Sequence, residues 1–396
     1  MNTTPNSNRK HIAIFGKTNV GKSSLINSIC EQEISIVSNE SGTTTDPVFK
    51  AMELIPIGPV IFIDTAGLDD KSLIGNLRIK KTNDIMQRAD FALYVVDGNN
   101  INDNEYEEIK LKFKKYNIPF LLVINKVDKI DKIKLNELEK IYKDAIVVSA
   151  HTKEGIDKLK NKLISRFKET ENEVPLIKDL VPYGGKVILV VPIDSEAPKG
   201  RLILPQVQCI RECLDNGIKT YVVRDTELKS ALNDIKDVEL VITDSQVFNK
   251  VSKIVPSNVK LTSFSILFAN NKGDLQTFVS GAKKINSLNK DSRILICESC
   301  THNVSHEDIG RVKIPKLLNK YKGFNLTYDF KAGYDFPEDI KKYDLIIHCG
   351  GCMMNRKSIL NRINKCNENN VGITNYGVIL AFLTGILERS LKIFEI

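Results

Sequence analysis

The chain has 396 residues, enough for two or three domains of ordinary size, and its 42% hydrophobic content can fill real cores. The formal net charge is +8, but the lysines are spread along the chain, with no compact basic arm, so no nucleic-acid partner is expected. The opening MNTTPNSNRK is polar, and no apolar run approaches the ~18 residues a membrane span requires. Together these features exclude a secreted or membrane-spanning protein and predict a cytoplasmic one.

Residues 1–9 are polar and expected to be disordered. From His11 onward, short apolar runs alternate with helical segments. HIAIFG, VIFIDTAG, FALYVVDG, PFLLVINK and AIVVSA read as strands, near-continuous in Val, Ile, Leu and Phe as buried parallel strands are. SSLINSIC reads as the first helix, and a helix at 155–168 closes a doubly wound sheet. The charged, proline- and glycine-bearing stretch that follows predicts a linker over 169–182.

The β-then-α rhythm restarts with KVILVVPI, a helix near 204–216, TYVVRD, a helix near 227–235, ELVITD and another helix, defining a unit at 183–262. A third unit, 263–396, contains a helix near 273–288, RILICES, a helix near 308–321, NLTYDF, YDLIIHC, a helix near 355–369, ITNYGV and a terminal helix. The fold class is therefore α/β: an N-terminal P-loop domain over 1–168, followed by two smaller α/β units with mainly parallel sheets. The second unit carries no candidate chemistry, which suits it to dimerisation.

Gly16-Lys17-Thr18-Asn19-Val20-Gly21-Lys22-Ser23 fits the phosphate-binding loop and sits between a strand and a helix. Gly16 and Gly21 let backbone N–H groups curl around a phosphate at the helix N-terminus, with Ser24 following. Lys22 is expected on the β- and γ-phosphates, and Ser23 on Mg2+. Asp64 can hold that magnesium through water, and the Gly67 amide can sense the γ-phosphate. Asn125-Lys126-Val127-Asp128 ends a further strand, where the Asp128 carboxylate accepts two hydrogen bonds from guanine and so selects GTP. Ser149 and Ala150 pack a backbone amide against the base. In the threonine-rich stretch 42–46, Thr44 is the candidate to close over magnesium when the γ-phosphate is present.

In this order the motifs resemble the translation-factor-related GTPases, especially the group of the bacterial tRNA-modification GTPase. Leu68 stands where Ras-like proteins carry the glutamine that orients water, so slow hydrolysis is expected. Asn19 occupies the position that ligates K+ in potassium-activated relatives, which implies K+ stimulation.

Of eight cysteines, Cys30, Cys209, Cys213 and Cys366 are scattered through apparent helices as small buried thiols would be. The rest form two tight pairs. Cys300-Thr301-His302 follows RILICES, and His348-Cys349-Gly350-Gly351-Cys352 follows YDLIIH, both at carboxyl ends of expected parallel strands. Three thiolates there can converge on one inorganic centre. The residues leave open an iron–sulfur cluster, a structural zinc with an RNA-modifying or RNA-chaperoning GTPase, and a redox dithiol.

A GTPase of this kind joined to Cys-x-His and, 45 residues on, His-Cys-x-x-Cys resembles the maturation GTPases of FeFe-hydrogenase over essentially the whole chain. The resemblance implies a GTPase, a dimerisation and a cluster-binding domain, and a homodimer. It implies a 4Fe–4S cluster on Cys300, Cys349 and Cys352. It also implies a scaffold that takes a diiron subcluster precursor, assembled with radical-SAM maturases, to apo FeFe-hydrogenase. Three thiolates leave one iron open. If RILICES is a strand up to Cys300, alternation puts Glu298 on the side of Cys300 and Cys297 on the other, making Glu298 the expected fourth ligand and His302 its rival. His348 is expected to orient Cys349.

Overall fold

Near-continuous apolar runs become parallel strands because both faces of each sheet are covered by helices. The computed structural model describes residues 5–30, 47–65, 67, 75–170, 174–193, 202–299, 308–351 and 353–394. They divide into two units, 1–172 and 173–396. Thr44, Leu68, Cys300, His302 and Cys352 lie outside the described residues.

The first unit runs β1 (Lys10–Phe15), α1 (Lys22–Cys30), β2 (Val48–Leu54), β3 (Gly58–Asp64), α2 (Gly75–Met86), β4 (Phe91–Asp97), α3 (Asp103–Lys115), β5 (Phe120–Asn125), α4 (Lys132–Ile141), β6 (Ile146–Val147) and α5 (Ile156–Thr170). The sheet order is β2-β3-β1-β4-β5-β6, parallel except for β2 against β3. Alternation along β1 sorts its side chains. Ile12 and Ile14 pack in one core with Leu25, Ile29 and Leu163, while Ala13 and Phe15 pack in the other with Met86 and Phe113. Asn6–Asn8, within the stretch expected to be disordered, forms a 3-10 turn whose Asn6 carbonyl lies 2.9 Å from His11 Nε2.

The second unit holds two four-stranded, wholly parallel sheets. The first is built from β7 (Lys186–Val190), α6 (Leu204–Asp215), β8 (Lys219–Val223), α7 (Leu228–Asp234), β9 (Val238–Thr243), α8 (Phe248–Ile254) and β10 (Lys260–Ser263), in the order β10-β9-β7-β8. After α9 (Phe264–Lys272) and α10 (Leu275–Lys283) comes the second: β11 (Arg293–Glu298), α11 (Ile314–Lys322), β12 (Thr327–Ala332), β13 (Leu345–His348), α12 (Arg356–Glu368), β14 (Gly372–Asn375), α13 (Tyr376–Leu383) and α14 (Leu387–Leu391), in the order β12-β11-β13-β14. A π-turn, Ile309–Lys313, leads into α11. The division expected at 262 falls inside β10. Just beyond it α9 serves two cores, giving Phe264 and Leu267 to one and Ile266 and Ala269 to the other.

The stretch expected as a linker is tied down over its second half. Leu176, Ile177 and Val181 are buried against Cys209, Cys213 and Phe268. The Glu212 carboxylate accepts the backbone N–H groups of Leu176 (3.0 Å), Ile177 (2.7 Å) and Lys178 (3.1 Å). Hydrogen bonds to a charged acceptor contribute about 1.5–3 kcal/mol, and buried N–H groups left without one are penalised. Glu212→Ala is expected to lower stability by about 2–3 kcal/mol, and Glu212→Gln by less, measured as a fall in the urea midpoint at unchanged slope.

Candidate functional site

The phosphate loop is shaped by backbone that only certain residues tolerate. Gly16 has φ +154° and Gly21 φ +91°, and a Cβ at Gly16 would lie 2.3 Å from the Val95 carbonyl oxygen. Asn19 takes the left-handed conformation, φ +63°. Lys22 is buried, and its Nζ donates to the carbonyls of Gly16 (3.1 Å) and Lys17 (2.8 Å), so the ammonium is held within the curl of the loop. Ser23 Oγ donates to Asp64 Oδ2 at 2.5 Å, while Asp64 Oδ1 is buried and has no hydrogen-bond partner among the described residues. Burial pushes the Asp64 carboxyl up, against the pull of Ser23, Lys22 and Lys50. A carboxylate oxygen left orphaned beside a serine hydroxyl is a donor set that fits magnesium. Gly67 is half-buried, three positions past Asp64, and Ser24 is exposed at the start of α1.

The base-side residues form one hydrogen-bonded assembly. The Asn125 side chain is 1% exposed, donates from Nδ2 to the Val20 carbonyl (2.9 Å) and accepts at Oδ1 from Ala150 N (3.0 Å). It therefore clamps the phosphate loop to the loop after β6. The Ala150 carbonyl is held by Ser28 Oγ at 2.6 Å. Lys126, with φ +64°, reaches the Asn19 carbonyl (2.6 Å) and pairs with Asp97 (2.9 Å). Ser149 Oγ donates to Asp128 Oδ1 at 2.6 Å, which holds that exposed carboxyl below its usual range and aims it. All of the expected nucleotide residues that the structure describes thus gather at the carboxyl edge of one sheet.

At the corresponding edge of the third sheet, β11 and β13 pair so that Cys297 lies beside His348. Cys349 Sγ accepts the Ser299 N–H (3.0 Å) and the Gly351 N–H (3.5 Å), and lies 3.0 Å from Ser299 Oγ. Backbone N–H groups aimed at a sulfur are what a thiolate ligand of an iron–sulfur cluster needs. Gly351, at φ +67°, supplies the turn. Of the three cysteines expected to bind a cluster, Cys349 alone lies among the described residues, and no group of three His, Cys, Asp or Glu side chains converges among them.

Cys297 points the other way. It is 1% exposed in an aliphatic core, and burial pushes its thiol up to about 12. Glu298, the expected fourth ligand, has a partner within the protein. Both its carboxylate oxygens face Arg311, at 3.1 and 3.2 Å from Nε and 2.8 Å from a terminal nitrogen, with Glu298 3% exposed. Its carboxylate accepts from the Arg311 guanidinium through both oxygens.

Three family models cover the chain in series. One described as a 50S ribosome-binding GTPase matches residues 11–126; the hydrogen maturase F dimerization domain matches 176–273 and its tetramerization domain 276–393. The chain belongs to the hydrogen maturase F family. Its N-terminal part is a GTPase domain, and its remainder consists of the family's oligomerisation domains. The tRNA modification GTPase MnmE of Mycoplasma mycoides is 38% identical over 146 residues, 37% of this chain and 32% of that protein. GTPase Der of Nautilia profundicola is 31% identical over 265 residues, 66% of this chain and 55% of that protein. The chain thus spans from about a third to about half the length of the curated relatives it matches. Among solved structures, Era of Aquifex aeolicus matches with 20% identity and a TM-score of 0.34 over 54% of this chain and 92% of that one.

In this hydrogen maturase F member, two buried cations beside the cysteine loop had not been expected. Arg362 is 5% exposed and Lys272 6%. Lys272 Nζ donates to the carbonyls of Gly351 (3.0 Å) and Met354 (3.2 Å). A signal for both was present in the helical spacing. Arg362 shares the inward stripe of α12 with Ile359, Ile363 and Cys366, and Lys272 that of α9 with Phe264 and Phe268. No helix among the described residues is long and apolar enough to cross a membrane. Because the Asn125 amide joins two loops, Asn125→Ala is expected to weaken GDP binding at least tenfold, measured by calorimetry, while the far-ultraviolet circular dichroism stays unchanged.

Proposed function

We propose that this chain is a cytoplasmic GTP-hydrolysing metallocluster carrier that holds a 4Fe–4S cluster and takes a diiron subcluster precursor from radical-SAM maturases to apo FeFe-hydrogenase. The observation that carries this reading is the Cys349 sulfur, held by two backbone N–H donors in a chain that also carries a GTPase domain. Lys22 contacts the β- and γ-phosphates, Ser23 and Asp64 with Thr44 hold magnesium, and Gly67 reads the γ-phosphate. Magnesium, when bound, neutralises charge that develops on the transferring phosphoryl group. The Asp128 carboxylate, aimed by Ser149, recognises guanine. Residues 183–262 pair two copies, and Cys300, Cys349 and Cys352 bind the cluster within 263–396. Three cysteines would leave one iron of the cluster without a thiolate, and with Glu298 paired to Arg311 we assign His302 to it. An open position of that kind suits a protein that must accept a second metal unit and release it.

The reading is tested by anaerobic reconstitution with iron and sulfide, followed by iron quantitation and Mössbauer spectroscopy. About four irons per chain are expected, and replacement of Cys300, Cys349 or Cys352 by alanine removes them. Lys22→Ala abolishes GTP turnover and keeps the iron, because the two sites lie in separate compact units. Zinc in place of iron, or iron loss on Lys22→Ala with the fold intact, would overturn it.

Asn19 is the residue through which K+ acts. Turnover is expected to rise severalfold in KCl over NaCl, and Asn19→Ala to abolish the difference. Equal initial rates in the two salts would return Asn19 to shaping the loop.

A further inference from the structure

We propose that the outer edge of β12 is a self-association seam, on which the same strand of a second copy pairs antiparallel about a two-fold axis through Phe330. The seam lies in the tetramerization domain and draws on nothing at the cysteine centre.

The outermost strands of a sheet each present a row of N–H and C=O groups to no neighbouring strand, and an open row of that kind is a template for pairing. In the second unit, one end strand of each sheet is packed by a helix. α14 packs on β10, where Thr262 Oγ1 donates to the Ser390 carbonyl at 3.0 Å. α10 packs on β14 so closely that a Cβ on Gly281 would fall 1.9 Å from the Ile373 carbonyl oxygen. The other end strands are β8, in the stretch matched by the dimerization domain, and β12, in that matched by the tetramerization domain. Among the described residues no strand pairs with the outer edge of β12, and Thr327, Phe330 and Lys331 are exposed along it.

Hydrogen bonding sorts the groups of β12. Gly333, just past the strand, donates its N–H to the Glu298 carbonyl of β11 at 2.8 Å. Counting back in twos, Lys331, Asp329 and Thr327 turn their N–H and C=O groups to β11, which leaves those of Ala332, Phe330 and Tyr328 on the outer edge. In an antiparallel pair, outward-facing residues exchange both hydrogen bonds with their mates. With the axis on Phe330, that residue meets its own copy, and Tyr328 meets Ala332 of the second copy. Every outward group of the strand is then matched.

Charge selects this register. With Phe330 on the axis, Asp329 stands opposite Lys331 of the second copy, and by symmetry the pair occurs twice. Moving the axis one residue either way sets Asp329 against Asp329 or Lys331 against Lys331. Asp329 is already held at the strand surface, since Oδ2 accepts from Arg293 and from the Tyr343 hydroxyl, each at 2.8 Å. A lysine on an edge strand ordinarily discourages pairing. Here it admits only a strand that offers a carboxylate at the opposite position, as a second β12 does. The Phe330 ring is 36% exposed, with the Arg311 guanidinium 5.5 Å from its centre, and it gains a second ring as its cross-strand neighbour. A two-fold seam on β12, added to a separate pairing through the dimerization domain, closes an assembly of four copies.

The test uses the full-length chain. Sedimentation over a concentration series is expected to carry the wild type from dimer to tetramer. Lys331→Glu, which sets like charges opposite each other, is expected to raise the dissociation constant of that step at least tenfold, and Lys331→Arg to leave it close to wild type. Phe330→Pro removes the central outward N–H while leaving the β11 ladder intact, and is expected to abolish the step. Hydrogen exchange, read by mass spectrometry with electron-transfer fragmentation, locates the seam. The Tyr328, Phe330 and Ala332 amides are expected to slow at least tenfold where the tetramer forms, whereas those of Asp329 and Lys331, bonded to β11, change little. A wild type that never exceeds a dimer, an unmoved dissociation constant in Lys331→Glu, or unchanged exchange at Tyr328, Phe330 and Ala332 overturns the proposal. Where circular dichroism shows Phe330→Pro unfolded, Lys331→Glu and the exchange pattern decide. Iron content enters neither readout, so the outcome is separate from that of cluster reconstitution.

Discussion

Parallel strand register is the constraint on which both sites depend. Hydrogen bonding sets Asp97 beside Asn125 and Ile14 beside Asp64 in the first unit, and Cys297, His348 and Asn375 abreast in the third sheet. A slip of one residue in any pair would turn each side chain to the opposite face and scatter the group. Parallel pairing also sends every strand to the same edge, so loops far apart in sequence leave from neighbouring points. Asn125 uses this directly: at the end of β5 it reaches both Val20 and Ala150, 105 and 25 residues away.

The two sites answer one electrostatic problem in similar ways. Each, on the function proposed for it, holds an anionic group on backbone that turns through positive-φ glycine. In the phosphate loop, Lys22 is held by the carbonyls of Gly16 and Lys17. In the cysteine loop, Lys272 is held by the carbonyls of Gly351 and Met354. Carbonyl partners of this kind fix the position of an ammonium at the curl of each loop. The contrast lies in the shape of the side chain. Lysine presents a point charge on a flexible stem, whereas the Arg362 guanidinium is planar and fixed at three sides.

Much of this was legible in the sequence because motif chemistry requires residue types at fixed spacings. The phosphate loop, Asp64, the 125–128 motif and the cysteine pairs stand at strand ends, where the apolar runs stop. What was missed follows from weaker physical signals. β2 is an edge strand with mixed exposure, and β10 has only four residues, so neither shows the continuous apolar run of a buried strand. Prolines and charges make the stretch 169–182 look like a linker, although Leu176, Ile177 and Val181 are apolar anchors for a core. Arginine on a helix usually marks solvent, so Arg362 gives no inward signal of its own, while the apolar stripe on either side of it runs inward.

Glu298 shows where pattern reasoning stops and packing decides. Alternation placed its side chain correctly, opposite Cys297, but could not say what would meet it there. Arg311 enters from the π-turn at Ile309–Lys313, where Asp308 accepts the Arg311 N–H at 2.7 Å and Gly310 lies under Glu298 and Tyr376. A Cβ at Gly310 would fall 1.9 Å from the Tyr376 hydroxyl, so only glycine lets the turn come close enough for the ion pair. The pair joins the end of β11 to the start of α11 across 13 residues, and its carboxylate is 4% exposed while its guanidinium is 36% exposed. With one partner in solvent, the pair is screened more than a fully buried one. Its geometric effect is the larger one. It ties the end of β11 to the turn that opens α11, as the His348–Arg362 contact ties the end of β13 to α12.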